Sequence, residues 1–266
     1  MADAATVVAG QAPDKSQLVQ DYIMHHVVDA TYWKLPFLPK IDLPPFLSLH
    51  GVMLILAAVF LYVIFGRLYR KNDQVPSGFT NLLEVMVLFV RNQIAIPNLG
   101  EEDGKKLTPL LCSLFFFILT LNLMGLIPLF ATATGNVSVT GALALVTLSV
   151  MIGGAIYKNG VSGFAHAFIP HGVPLPVLFL LVPIEFAGMF IKAFALMIRL
   201  FANMLAGHIV VYFILGLVVI FGMAGLPAIF LGVFIYLLEV FVSFLQAFVF
   251  TLLSAMFINQ IHHPAH

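Results

Sequence analysis

The sequence predicts an all-α integral membrane protein with five transmembrane helices and one amphipathic helix on the membrane surface. Hydrophobic residues make up 61% of its 266 residues and charged residues 9%, which leaves more apolar surface than a soluble core could bury. Apolar runs long enough to span a bilayer recur after residue 46, and the last two are unusually long. The formal net charge is zero and the basic residues are scattered, so we expect no nucleic-acid partner.

The first element is an N-terminal segment, residues 1–45, which we expect to be periplasmic or to lie at the membrane interface. It mixes Asp14, Lys15 and Asp29 with apolar residues, as an amphipathic surface segment does. No basic stretch followed by an apolar run occurs there, so we expect no cleavable signal peptide.

The membrane domain, residues 46–266, is predicted to contain five spans. Their expected bounds are about 47–66, 108–130, 138–157, 176–217 and 226–259. The first span ends at Arg67, Arg70 and Lys71, a basic flank typical of the cytoplasmic side. Five crossings then predict an N-terminus outside the cell and a C-terminus in the cytoplasm, in agreement with the charge bias.

An amphipathic helix is expected between the first two spans. The stretch "SGFTNLLEVMVLFVRNQI" has apolar residues at helical spacing but also carries Glu84 and Arg91. This pattern favours a helix on the membrane surface over a sixth span.

The last two apolar runs are too long for an upright crossing. Ile184 to Gly216 and Pro227 to Ile258 would each extend about 50 Å as helix, against a hydrocarbon core of about 30 Å. Either each run breaks into a hairpin or both lie strongly tilted and packed on each other. The absence of a turn signal inside either run favours the tilted pair, which would need protein support on its other face.

Four polar residues of the fourth run form one stripe. At about 100° per residue, Glu185, Lys192, Arg199 and Asn203 fall within about 80° of one another. His208 falls about 180° from Arg199, on the opposite face. Charges inside a membrane helix are costly, so each of these residues is a candidate for function.

The final helix carries a second stripe, formed by Glu239, Ser243 and Gln246. Two facing stripes in lipid would create a hydrated path between the last two helices. Close approach of His208 and Glu239 would allow them to exchange a proton. Two purely structural alternatives remain open: Lys192 could snorkel to the interface, and Arg199 could pair with Glu239.

Several motifs resemble those of subunit a of the F-type ATP synthases. They are "IRLFANMLAGHIVV" and "LEVFVSFLQAFVFTLL" in the last two runs, with "LTLNLMGLIP" and "SGFTNLLE" before them. The resemblance implies a non-catalytic stator subunit that forms two offset half-channels for protons. It implies as partners a rotating c-ring against the tilted helices, the b subunits of the peripheral stalk and the remainder of the complex.

The resemblance also assigns roles by position. Arg199 matches the arginine that faces the ion-binding carboxylate of each c subunit and separates the half-channels. Asn203, Gln246 and Asn122 match polar residues of the ion path, and Glu185 matches a carboxylate near the cytoplasmic outlet.

Two positions depart from the family pattern. Position 208 is often Glu in the family and position 239 His, whereas this chain has His208 and Glu239. The exchanged order keeps one imidazole and one carboxylate, which favours a conserved relay. Gly125 stands where some members carry an acid, so any contribution of that acid to the outer channel is missing.

Two other functional classes are less consistent with the sequence. A secondary transporter or free-standing channel would be expected to show inverted repeats or interrupted helices, and an intramembrane hydrolase would need a nucleophile with a base or a metal dyad. We find none of these patterns. The terminal "HHPAH" lacks a carboxylate or thiolate partner, so no metal and no cofactor is expected.

Overall fold

A computed structural model of the chain describes residues 32–33, 41–42, 44, 48–68, 78–127, 130–166 and 175–262. Most of the predicted N-terminal segment, the basic residues Arg70 and Lys71, and residues 263–266 lie outside the described residues. Five helical segments are long and apolar enough to cross a membrane: Leu49–Arg67, Phe79–Leu126, Val137–Phe164, Val177–Val218 and Leu226–Ile261. The prediction of an all-α, multi-pass membrane protein is confirmed.

A short antiparallel pair of strands, β1 (Tyr32–Trp33) and β2 (Ile41–Asp42), precedes the first helix. Helix α1 (Leu49–Val63) begins at Ser48, whose Oγ accepts a hydrogen bond from the backbone N–H of Gly51 at 3.2 Å. A hydroxyl at this position satisfies one of the unpaired N–H groups of the first helical turn. A π-helical turn, Ile64–Leu68, continues α1.

The amphipathic stretch is helical and leads directly into the second span. Helix α2 (Phe79–Phe89) and a π-helical turn (Val90–Ala95) are followed by α3 (Ile96–Leu126). The backbone breaks at Gly100, whose φ of 79° lies in the left-handed region that favours glycine. The helix therefore changes direction there, ahead of the expected start of the span near residue 108.

Helix α4 (Val137–His166) follows a short 3₁₀ turn, Ala133–Gly135. It continues beyond the expected end at residue 157 and breaks at Gly160, which has a φ of 73°. Gly100 and Gly160 thus each mark a change of direction next to a polar stretch of the sequence, where the apolar periodicity ends.

The last two helices are each continuous. Helix α5 (Leu175–Phe221) has 47 residues and α6 (Leu226–His262) has 37. Their lengths correspond to about 70 Å and about 55 Å at about 1.5 Å per residue. A 3₁₀ turn, Gly222–Gly225, connects them. The alternative in which each apolar run breaks into its own hairpin is therefore excluded.

The core lies where α3, α4, α5 and α6 meet. Its members are buried apolar side chains from all four helices, including Phe115, Met151, Leu200 and Phe250. Long parts of α5 and α6 instead expose large apolar side chains, such as Phe194 at 59%. In a membrane protein such surfaces contact lipid or another subunit.

Candidate functional site

A buried pair of ionisable side chains joins α5 to α6. Nδ1 of His208 lies 3.0 Å from Oε1 of Glu239, and both side chains are less than a tenth exposed. Gly207 permits this approach, because a Cβ atom at that position would lie 2.5 Å from the same carboxylate oxygen. Glycine at position 207 therefore leaves the space that the Glu239 carboxylate occupies.

Both ring nitrogens of His208 also face backbone carbonyls. Nδ1 lies 2.9 Å from the carbonyl oxygen of Met204, and Nε2 lies 2.8 Å from that of Gly125. Carbonyl oxygens only accept hydrogen bonds, so both contacts are satisfied together only when both nitrogens carry a proton. Nδ1 is better directed at Met204 than at Glu239, whose Oε1 accepts no well-aligned hydrogen bond from any described residue. A doubly protonated ring would satisfy both carbonyls and would place its positive charge beside the Glu239 side chain.

The pair borders a cavity of about 290 Å³ between α5 and α6. Its other walls are mostly apolar and include Val211, Leu215 and Val233. Tyr236, also in the lining, donates its hydroxyl to the carbonyl oxygen of Leu126 at 3.2 Å. This volume holds several water molecules at about 30 Å³ each. Among the described lining residues, His208 and Glu239 are the acid–base pair that water in the cavity would reach.

The polar stripe of α6 continues from Glu239 toward the C-terminal end of the helix and is buried. Ser243 and Gln246 are 1% and 5% exposed. Asn122 of α3 donates its amide to the backbone carbonyl of Ser243 at 3.4 Å. Four buried polar atoms of this group have no hydrogen-bond partner among the described residues: Oδ1 of Asn122, Oε1 of Glu239, Oγ of Ser243 and Nε2 of Gln246. Such atoms require water or an ion.

Arg199 lies on the opposite surface of α5. Its side chain is exposed, and it makes neither a hydrogen bond nor an ion pair within the described part of the chain. The structural alternative of an ion pair with Glu239 is therefore wrong. Glu185 is likewise exposed and Asn203 is half-buried. The Arg199 side of α5 thus presents an uncompensated positive charge to whatever covers it.

Lys192 of α5 has partners near the C-terminal end of α6. Its Nζ donates to Oε1 of Gln260 at 2.5 Å and lies 5.7 Å from the centre of the Phe257 ring. The side chain therefore reaches across to α6, a more specific placement than the snorkelling considered from the sequence.

The two polar stripes do not face each other along their length, contrary to the sequence expectation. The α6 stripe instead meets α5 at His208, on the face opposite to the α5 stripe. Ser243 of the α6 stripe contacts Asn122 of α3, while Arg199 is exposed. Sequence reasoning missed the carbonyl of Gly125, because a backbone acceptor leaves no side-chain signal. A Cβ atom at position 125 would lie 3.0 Å from the terminal methyl group of Met204, so the packing around this carbonyl is close.

Comparison with known proteins identifies the family. Residues 51–259 match the family described as ATP synthase A chain. The chain belongs to this family. The match includes α1 to α5 and most of α6, and so contains Arg199, His208 and Glu239.

Curated relatives of this family are similar over most of the chain. ATP synthase subunit a of Chloroherpeton thalassium is 43% identical over 265 residues, which cover 96% of this chain and 79% of the relative. The Myxococcus xanthus protein of the same name is 44% identical, over 82% of this chain and 75% of the relative. The Anaeromyxobacter dehalogenans protein is 45% identical, but the matched region spans only 60% of its length.

Proposed function

We propose that this chain is the stator ion-channel subunit of a rotary F-type ATP synthase. It would form two offset half-channels that carry protons to and from the carboxylates of a c-ring, without itself catalysing nucleotide chemistry. The single observation that best supports the proposal is the opposition of Arg199 and His208 on α5. The first is exposed and has no hydrogen-bond or ion-pair partner among the described residues, and the second is buried beside Glu239.

Arg199 would be the partner of the c-ring carboxylates. An ionised carboxylate facing lipid is costly, so a ring carboxylate would pass through lipid only when neutralised by a proton. A guanidinium remains charged under physiological conditions and stabilises the ionised carboxylate that faces it. Each passing carboxylate would therefore release its proton near Arg199, and the fixed positive charge would repel protons moving directly between the half-channels.

His208 and Glu239 would belong to the outer half-channel. With the N-terminus outside, the turn between α5 and α6 also lies outside, and the cavity beside the pair is on this outer side. A proton entering the cavity would reach Glu239 and His208 first. Ser243, Gln246 and Asn122 would then lead it inward through water toward the ring.

Glu185 and Lys192 would belong to the inner outlet. Both lie on the cytoplasmic half of α5 in this orientation, and Glu185 is exposed. An exposed carboxylate at the end of a path can receive a proton and pass it to bulk water.

Purification of the tagged chain from its native membrane tests the proposal. The chain should co-purify with a c-ring, the b subunits of a peripheral stalk and a nucleotide-hydrolysing head, and the reconstituted complex should pump protons when given ATP. Recovery of the chain alone, active in transport of a solute without these subunits, would contradict the proposal and favour a secondary transporter.

A further inference from the structure

Buried polar atoms of α6 that make no hydrogen bond to a described residue form a row that ends at Gln246. Glu239, Ser243 and Gln246 each have a side-chain atom that makes no hydrogen bond to a described residue, and they lie on one face, at i, i+4 and i+7. Oε1 of Glu239 has the ion-pair contact with His208 instead. Asn122 adds a fourth such atom from α3. Since buried polar atoms without protein partners require water, these positions mark a hydrated part of the interior.

The buried hydroxyls further inward are, in contrast, satisfied by the protein. Thr251 donates to the carbonyl of Ala247 at 2.8 Å, and Ser254 donates to that of Phe250 at 2.8 Å. Thr147 of α4 lies 3.1 Å from the Ser254 hydroxyl, within hydrogen-bond distance. These groups need no water, so the hydrated part ends between Gln246 and Thr251.

Phe250 stands at this boundary. It shares the polar face of α6, lying four residues after Gln246 and four before Ser254, and its side chain is 0% exposed. Ile118 and Phe115, four and seven residues before Asn122 on α3, are also 0% exposed. They belong to the same apolar cluster as Phe250. The polar lining is thus replaced by apolar side chains on both α3 and α6.

An interior barrier is needed in addition to Arg199, because Arg199 acts on a different route. Its side chain is on the exposed surface of α5, where it would control transfer to and from the c-ring. A water chain that continued from Gln246 to Ser254, about 12 Å along α6, would extend the outer half-channel toward the inner side without meeting the guanidinium. Protons could then cross without rotation of the ring.

We propose that Phe250 is an apolar plug, which closes the inner end of the hydrated interior and prevents a proton leak through the chain itself. This inference rests on the proposed function, since it assumes that the hydrated row belongs to the outer half-channel. Apolar constrictions exclude water and thereby block ions, which is the property required here. The plug and Arg199 would close two different routes.

The test measures proton leak through the intact complex while rotation is idle. Membrane vesicles carrying the complete complex are given a pH gradient without nucleotide, and the decay of the gradient is followed. Phe250→Ser replaces the ring with a small hydroxyl-bearing side chain that admits water. It should accelerate the part of the decay that is due to the complex by about tenfold or more. Phe250→Leu, which stays apolar, should remain within about twofold of wild type.

Phe248→Ser is the matched control. Phe248 is on the same helix, about 180° from Glu239, and packs on Phe89 with ring centres 5.6 Å apart. The same substitution there should leave the decay near the wild-type rate. If Phe250→Ser fails to assemble, Phe250→Val decides the question, because the smaller apolar side chain should give a leak above that of the Leu variant.

The leak measurements test the Phe250 plug, and ATP-driven acidification of wild-type vesicles tests the proposed function. Wild-type decay in an assembled Phe250→Ser complex, or in Phe250→Val when only that variant assembles, would overturn the plug. An equal leak in Phe248→Ser would also overturn it, since the effect would then reflect loosened packing. Wild-type vesicles that fail to acidify with ATP would instead reject the proposed function.

Discussion

His208 and Glu239 form a buried contact of 3.0 Å between α5 and α6, on the side of α5 opposite to Arg199. The two residues come from positions 31 apart in the sequence, and each would be an isolated ionisable group without the other. The pairing explains how an imidazole and a carboxylate can both be tolerated inside the helical bundle.

Exchange of the two residues tests whether the pair acts as a unit. His208→Glu and Glu239→His, made singly, should each lower ATP-driven proton pumping by about tenfold or more, because each leaves two like groups in contact. The double exchange should recover a large part of the activity. Equal losses in all three variants, with normal assembly, would show that the two positions act independently.

Gly207 tests the close approach of α5 and α6. In Gly207→Ala the new methyl group would meet Oε1 of Glu239 at 2.5 Å, so the pair must shift, at a cost of about 1–3 kcal/mol. We expect slower pumping and earlier thermal dissociation of the complex. Gly188→Ala is the control on the same helix, since a Cβ there has no atom within 4 Å. If Gly207→Ala pumped and dissociated like Gly188→Ala, the close contact between Gly207 and Glu239 would be wrong.

Substitutions at two buried serines of α6 should have opposite effects, one on proton flux and the other on stability. Ser243→Ala removes a hydroxyl that has no hydrogen-bond partner in the described part of the chain, so stability should be unchanged or improved while proton flux falls. Ser254→Ala removes a hydroxyl that donates a hydrogen bond to the backbone carbonyl of Phe250 and lies close to the Thr147 hydroxyl. Stability should therefore fall by about 1 kcal/mol, with little change in proton flux. Thermal dissociation and proton flux, measured on both variants, check this. The reverse pattern would mean that water does not follow the α6 stripe.

The sequence alone predicted the helices and the opposition of Arg199 and His208, because both follow from hydrophobic length and helical periodicity. It placed the hydrated path between the last two helices, whereas Ser243 is covered by Asn122 of α3. That contact joins residues 121 positions apart, and helical periodicity gives no information about which neighbouring helix a face will meet. For the same reason, the contact of His208 with the carbonyl of Gly125 could not be predicted from the sequence.

Lys192 illustrates a second limit of periodicity. It belongs to the same angular stripe as Arg199, yet it reaches Gln260 while Arg199 stays exposed. A long helix packs against different neighbours along its length, so one stripe can be partly paired and partly free.

The central claim is that Arg199 couples proton movement to a rotating partner. ATP-driven acidification of inside-out membrane vesicles tests it most directly, in wild type, Arg199→Ala, Arg199→Lys and the control Arg91→Ala. We predict normal pumping in wild type and Arg91→Ala, none in Arg199→Ala, and nearly none in Arg199→Lys, whose ammonium is a point charge that can lose its proton. Proton pumping at wild-type rates in an assembled Arg199→Ala complex would contradict the account.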